Sequence, residues 1–425
     1  MQTVQRELVG RGVSFDNFFV VNPLCCPSRV SILTGGYSHS TGVYLNTGPR
    51  GLPAFREEST LATWLDDAGY ETGFVGKYLN GYARTDVPPG WDRWIAFTGT
   101  LKKGVPPNYF GYELSVDGEL EAHGFAPEDY STDVLGRRAA EFVRETDGPF
   151  LLVFAPFAPH PGPTEEEQAT IPATPAPRHA DAFADLQPWR PPSFDEQDLS
   201  DKPAWLRSIA PLGDAEAEAI DGLRRSQLSS LLAVDDAVGS ILDALRETGR
   251  LRNTLVLYTA DNGQSWGEHR WRGKGLPYEE DIRVPLILRY DRLGTERRTL
   301  DRLALNIDLA PTIAELTGVQ TPELDGSSLL PLLTETAPPW REDFLVEHYG
   351  APPAPAVPSY CAVRSETHTY VAYASGEEEL YNLVDDPFQL ENLAGKPEFR
   401  DALEGMRARV RELCRPLPPR FGALP

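Results

Sequence analysis

The sequence predicts an α/β fold: a large, mostly parallel sheet between helices, followed by a small α+β subdomain with a short antiparallel sheet. Two observations predict it. Short apolar runs are too continuous to be half-exposed strands, and amphipathic helical stretches lie between them. The runs are "PFLLVFAPF" (149–157), "NTLVLYTADNG" (253–263) and "RVPLILRY" (283–290), each read as a strand buried on both faces.

In chain order, the first clear helix is Thr60–Asp67, with Gly69 as its stop, and Ser131–Arg144 opens on Ser-Thr. Residues 159–203 are dense in Pro and acidic residues and have no period, which predicts a binding loop or a lid. A long helix over 214–248 places Leu228, Leu231, Leu232, Val234, Val238, Ile241, Leu242 and Leu245 on one face before Gly249. Asp235 and Asp236 lie within that helix and read as surface or packing residues. After a main domain of 1–335, "DFLVEHYG", "SYCAVRSETHTYVAYAS" and "EEELYNLVDD" predict antiparallel strands, with a helix near 397–413, in a subdomain of 336–425.

At 425 residues the chain exceeds what one compact core supports. A net charge of −23 argues against a nucleic-acid partner and requires a local positive pocket for any sulfated or phosphorylated ligand. No apolar run reaches the roughly 18 residues of a membrane span. The start, "MQTVQRELVGRGVSF", lacks a signal-peptide pattern, and the four cysteines make neither a zinc pattern nor a disulfide scaffold. Secreted and cytoplasmic locations both stay open. In a parallel sheet ligands gather beyond the carboxyl ends of the strands, which marks Asp261-Asn262-Gly263 by position.

Two of the four cysteines stand together in "NPLCCPSRVSILTGG" (22–36). They read as small buried hydrophobes, or as a thiol activated by Arg29 and a helix N-terminus. The order Cys25-Cys26-Pro27-Ser28-Arg29, then Leu33-Thr34-Gly35, resembles the signature of the formylglycine-dependent type I sulfatases. "TGFVGKYLNGY" (72–82) resembles that family's Gly-Lys segment, "APFAPHPGP" (155–163) its Pro-His segment, and "TADNGQSWGEHRWRGKGLPYEEDIRVPLILR" its Asp-Asn-Gly and Lys blocks. The likeness runs from about residue 10 to 395 and is greatest to the N-acetylglucosamine-6-sulfatase and heparan-type branch. Leu79, where many arylsulfatases have His, agrees with that branch.

The resemblance implies an alkaline-phosphatase-like fold and a sulfuric ester hydrolase acting on a sulfated carbohydrate or other sulfate ester. Cys25 would be converted to Cα-formylglycine by a formylglycine-generating enzyme, and Cys26 would be structural. One hydroxyl of the hydrated aldehyde attacks sulfur, and the second later expels sulfate. Arg29, Lys77 and Lys274 hold and neutralise the sulfuryl group, and His160 is the general acid. A calcium ion on Asp261, Asn262 and the Cys25-derived oxygen polarises nucleophile and sulfate. His269 is a possible substrate contact. On the residues alone, Lys77 and Lys274 could be solvated surface lysines, His160 a loop histidine, and Asp261-Asn262-Gly263 a turn.

In the family a buried first strand ends in two adjacent aspartates that ligate the metal. Here "MQTVQREL" matches the helix after that strand, so the central sheet is expected to lack it. The remaining ligands offer roughly five oxygens against the six to eight calcium takes, which predicts weak calcium binding and little turnover by the 425-residue form. A phosphate or phosphonate monoester hydrolase of the same superfold, and an inactive glycan-binding remnant, are the competing readings.

Overall fold

The three apolar runs form the strands Phe150–Ala155, Val256–Thr259 and Leu286–Arg289. They are seen in a computed structural model that describes residues 1–98, 108–163, 170–350, 357–419 and 421–425. The expected sheet is present as two mixed sheets. In the first, the order is 119–122, 113–116, 93–97, 71–76, 150–155, with the last three strands parallel. Strand 113–116 runs antiparallel to 93–97, and Asp117-Gly118 closes a two-residue hairpin that pairs it antiparallel with 119–122, Val116 opposite Glu119. Both turn residues have positive φ (50° and 96°), as the tight turns that match strand twist require.

Helix Ser131–Glu145 is the crossover that returns the chain to the parallel strand 150–155. The second sheet runs 256–259, 286–289, 13–15, 298–300, and only the last pair is parallel. Thr60 caps helix Leu61–Asp67 through a reciprocal bond with Thr63. The long helix spans Asp214–Glu247. Its Asp235 carboxylate accepts from the backbone N–H groups of Thr3 and Val4, both at 2.8 Å, and so anchors the N-terminal turn. Asp236 is on the surface and pairs with Arg178 and His179.

Strands 150–155 and 256–259 are not buried on both faces as expected. Each pairs on one edge only, and every residue of both is half-buried. Both line a cavity of about 2410 Å³, which also receives Leu231, Val238, Ile241 and Leu245 of the long helix. Part of that helix's apolar face therefore lines the cavity as well as packing with strand residues such as Leu152 and Ile287. The two sheets are separate here.

Segment 159–203 is largely irregular, with the short pair Gly162–Pro163 and Thr170–Ile171; residues 164–169 of it lie outside the described residues. No helix among the described residues is long and apolar enough to cross a membrane.

At the C-terminal end, Asp343–His348, Tyr360–Ser365, His368–Tyr373 and Glu378–Asn382 form an antiparallel meander. One face packs on Phe19, Leu276 and Tyr278; the other packs on helix Arg400–Leu413, where Cys361 and Cys414 form a disulfide. This sheet supports the loop that carries Lys274. Tyr360 donates its hydroxyl to Gly275 O at 3.0 Å, and the His348 ring stacks on Tyr360 and abuts Gly275.

Burial pushes the His348 imidazole down from its ordinary 6.5 to about 4. Between pH 6.5 and 4 the unfolded chain therefore takes up a proton there that the folded chain refuses. About 3 kcal/mol of stability is present above pH 6.5 and lost as the pH falls to 4. His348→Phe keeps the stacking and is expected to flatten that acid slope in denaturant melts taken across this range.

Candidate active site

Helix Cys25–Thr34 begins at the signature, with Pro27 in its first turn, where a missing N–H is tolerated. Cys25 and Cys26, one after the other at that N-terminus, meet opposite surroundings. Cys26 packs among Val30, Leu33, Tyr78 and Trp94, and burial pushes its thiol up to about 12. It is structural, as expected. Cys25 is fully buried too, but its Sγ accepts from Lys274 Nζ at 2.6 Å, and Lys77 and His160 also act on its thiol. Burial alone would raise its thiol pKa. The charges of Lys274 and Lys77 outweigh that and hold it well below its ordinary value.

The other residues arrive from strand ends and loops. Lys77 follows strand 71–76, and its backbone N–H donates to Ala155 O at 2.7 Å. This register depends on Gly76, at φ 130°, where a Cβ would fall 2.0 Å from that same oxygen. Burial lowers the Lys77 pKa, against the Cys25 charge. Arg29 Nε donates to Asp261 Oδ2 at 2.7 Å, and its Nη1 reaches the carbonyls of Lys77 and Tyr78.

Asp261 and Asn262 lie just beyond strand 256–259. Burial would raise the Asp261 carboxyl, but Arg29 and the two lysines hold it well below the carboxylate range. Lys274 Nζ lies 3.4 Å from Asn262 Oδ1, and Cys25 and Asp261 keep it protonated against the effect of burial. His160 donates Nδ1–H to Pro161 O at 2.6 Å, which leaves Nε2 as the acceptor. Burial, then repulsion from Lys77, lowers its pKa, so the ring is neutral at pH 7. Tyr109 Oη donates to His160 O at 3.0 Å and steadies the turn.

Seven of the eight expected site residues therefore converge. His269 does not join them. It is fully buried, it does not line the cavity, and its Nδ1 contacts Glu196 Oε2 at 2.5 Å. Its backbone N–H donates to Ser193 O, so it fastens segment 193–196. The sequence reading missed Tyr109, and missed Trp189 and Trp266, which line the cavity. For Trp189 the only signal was its place in the aperiodic 159–203 segment.

Cys25 fits the formylglycine that the resemblance implies: a nucleophile position at a helix N-terminus, within reach of two ammonium groups and an imidazole. The metal fits less well. Asp261 is the one carboxylate among these residues and it is engaged by Arg29, while Arg29, Lys77 and Lys274 bring three positive charges. No group of three or more His, Cys, Asp or Glu that could hold a metal occurs among the described residues. Calcium takes about six to eight oxygens, and its affinity follows the number of charged ligands. Calorimetric titration of this chain with calcium is expected to show no binding tighter than about 1 mM.

The sulfatase family profile matches residues 2–319, and that of the N-sulphoglucosamine sulphohydrolase C-terminal region matches 267–415. The extracellular sulfatase SULF-1 homolog of Drosophila melanogaster is 33% identical over 365 residues, 82% of this chain and 31% of the relative. The chain thus spans about a third of that relative's length. Human N-acetylglucosamine-6-sulfatase is 32% identical over 441 residues, 92% of this chain and 76% of the relative. A solved structure of a protein in complex with its substrate, D-glucosamine-2-N,6-O-disulfate, superposes with a TM-score of 0.83 at 25% identity. It covers 97% of this chain and 92% of its own. Members of this group generally use a formylglycine and a divalent metal. With the profile over three quarters of its length and its signature cysteine set among the matching cations, the chain belongs to the sulfatase family.

Proposed function

We propose that this chain hydrolyses sulfate esters of sulfated sugars, with 6-O-sulfated N-acetylglucosamine units as substrate and Cys25 as the source of the nucleophile. The observation that carries this reading is the contact of Lys274 with Cys25 beside Lys77 and Arg29. It concentrates positive charge at one buried position of a chain whose net charge is −23. An anionic ester is drawn to such a position on a chain that is acidic as a whole. The human relative's name and the substrate held by the solved relative support the choice of sugar.

Formylglycine at position 25, made by a formylglycine-generating enzyme, supplies a hydrated oxygen nucleophile when present. The chain's own residues do the rest. Lys274 and Lys77 hold the sulfuryl oxygens and neutralise the charge that develops on them. Arg29, fixed by Asp261, keeps the helix head and the Lys77 loop in register. His160, with Nδ1–H committed to Pro161, accepts a proton at Nε2 and returns it to the departing alcohol oxygen.

The test is kinetic, with excess calcium and mass-spectrometric proof of the aldehyde at residue 25. The kcat/KM for glucosamine 6-sulfate is expected to exceed that for 4-nitrophenyl phosphate by at least about a hundredfold. Equal or faster turnover of the phosphate ester would make the chain a phosphate or phosphonate monoester hydrolase. Binding of sulfated sugar with no turnover would make it a glycan-binding protein.

A further inference from the structure

The cavity has a wall that the catalytic residues leave unused. Trp189 and Trp266, four residues beyond Asn262, both line it. Neither indole is free to swing. Trp189 Nε1 donates to Glu268 Oε1 at 3.0 Å, and the backbone N–H of Trp266 donates to the other oxygen of the same buried carboxylate. Trp266 Nε1 donates to Gln227 Oε1 at 2.7 Å, and Gln227 Nε2 donates onward to Gln264 Oε1 at 2.9 Å.

Between the rings sits the Arg224 guanidinium, 5.7 Å from the Trp189 centroid and 5.6 Å from that of Trp266. Its Nη1 is used on Gln187 O, and Arg224 does not line the cavity, so it braces the rings and is not an anion receptor. Despite this holding, Trp189 is 46% exposed. Burial of apolar surface does not explain why a buried carboxylate and a cation are committed to fixing it. The platform is also tied to the chemistry. Trp266 pairs with Arg272 on the short hairpin whose next pair, Ser265 with Gly273, directly precedes Lys274.

We infer that Trp189 and Trp266 form a stacking platform for the pyranose ring that carries the ester. This rests on the sulfated-sugar reading above. A pyranose presents an apolar C–H face and a polar rim. A rigid indole covers such a face at little cost in conformational entropy, and its N–H is already satisfied. Gln264, which stands between Asn262 and Trp266, faces the same cavity and offers an amide to ring hydroxyls.

The test compares two probes on the Cys25→Ala chain, which cannot turn over: inorganic sulfate, which engages the cations alone, and glucosamine 6-sulfate, which also presents the ring. Calorimetry is expected to show that Trp189→Ala weakens glucosamine 6-sulfate about tenfold, leaves inorganic sulfate within about twofold, and is largely rescued by Trp189→Phe. An unchanged sugar affinity in Trp189→Ala overturns the platform. So does an equal loss for both probes, or a phenylalanine variant no better than alanine, since either would mean the tryptophan only fastens its loop. Failure of the sugar reading shows separately, before any Trp189 substitution, as glucosamine 6-sulfate binding no tighter than inorganic sulfate.

Discussion

Cys25→Ala is expected to reduce sulfate ester turnover by roughly four orders of magnitude or more, the scale seen when the nucleophile is taken from a preorganised site. The side chain is small and at the head of a helix, so the fold should survive; circular dichroism and thermal melting check this. A second readout separates a chemical role from a packing one. Lys274 and Lys77 favour the negative form of the unmodified Cys25 thiol. Removing it leaves those ammonium groups facing the cavity with Asp261 as the remaining negative partner. Inorganic sulfate is therefore expected to bind Cys25→Ala more tightly than the unmodified cysteine form. Equal affinity in calorimetry would show that Cys25 does not share the anion site.

Lys274→Met is expected to lower kcat/KM for a sulfate ester by about a hundred- to a thousandfold, as the loss of one preorganised charge at a reacting centre does. The same change removes the 2.6 Å contact to Cys25, so the thiol pKa of the unmodified protein should rise. Thiolate absorbance followed across a pH titration reads this directly, with Cys25→Ala as the blank. Lys274→Arg retains charge, but a planar guanidinium does not reproduce a point contact with sulfur, and only partial rescue is expected. An unchanged thiolate titration in Lys274→Met would place the lysine's role elsewhere.

Much of the fold and site was legible because short segments carry their own instructions. The alternation of apolar runs with amphipathic helices marked strands 150–155, 256–259 and 286–289 and the long helix Asp214–Glu247. The Asp117-Gly118 hairpin was equally local but went unread, and it sets the antiparallel pairing of the outermost strand of the first sheet. Cys25, Arg29, Lys77, His160, Asp261, Asn262 and Lys274 were found as pieces of motifs. For His269, the neighbourhood in sequence, Gly-Glu-His-Arg-Trp, gives no hint that Glu196 and Ser193 close over it. Cys361 and Cys414, 53 residues apart, gave no pattern of their own; the packing of helix Arg400–Leu413 on the meander brings them together.

By itself, then, the sequence determined the element types, the family and the candidate site residues, since periodicity and motif chemistry belong to stretches of a dozen residues. Only the tertiary structure decided what those groups are. Two adjacent cysteines become a lowered and a raised thiol because one meets Lys274, 249 residues away, and the other meets aromatic rings. Protonation, tautomer, cavity shape and the fixing of two tryptophans depend on fields and contacts between distant segments, and no local pattern encodes them.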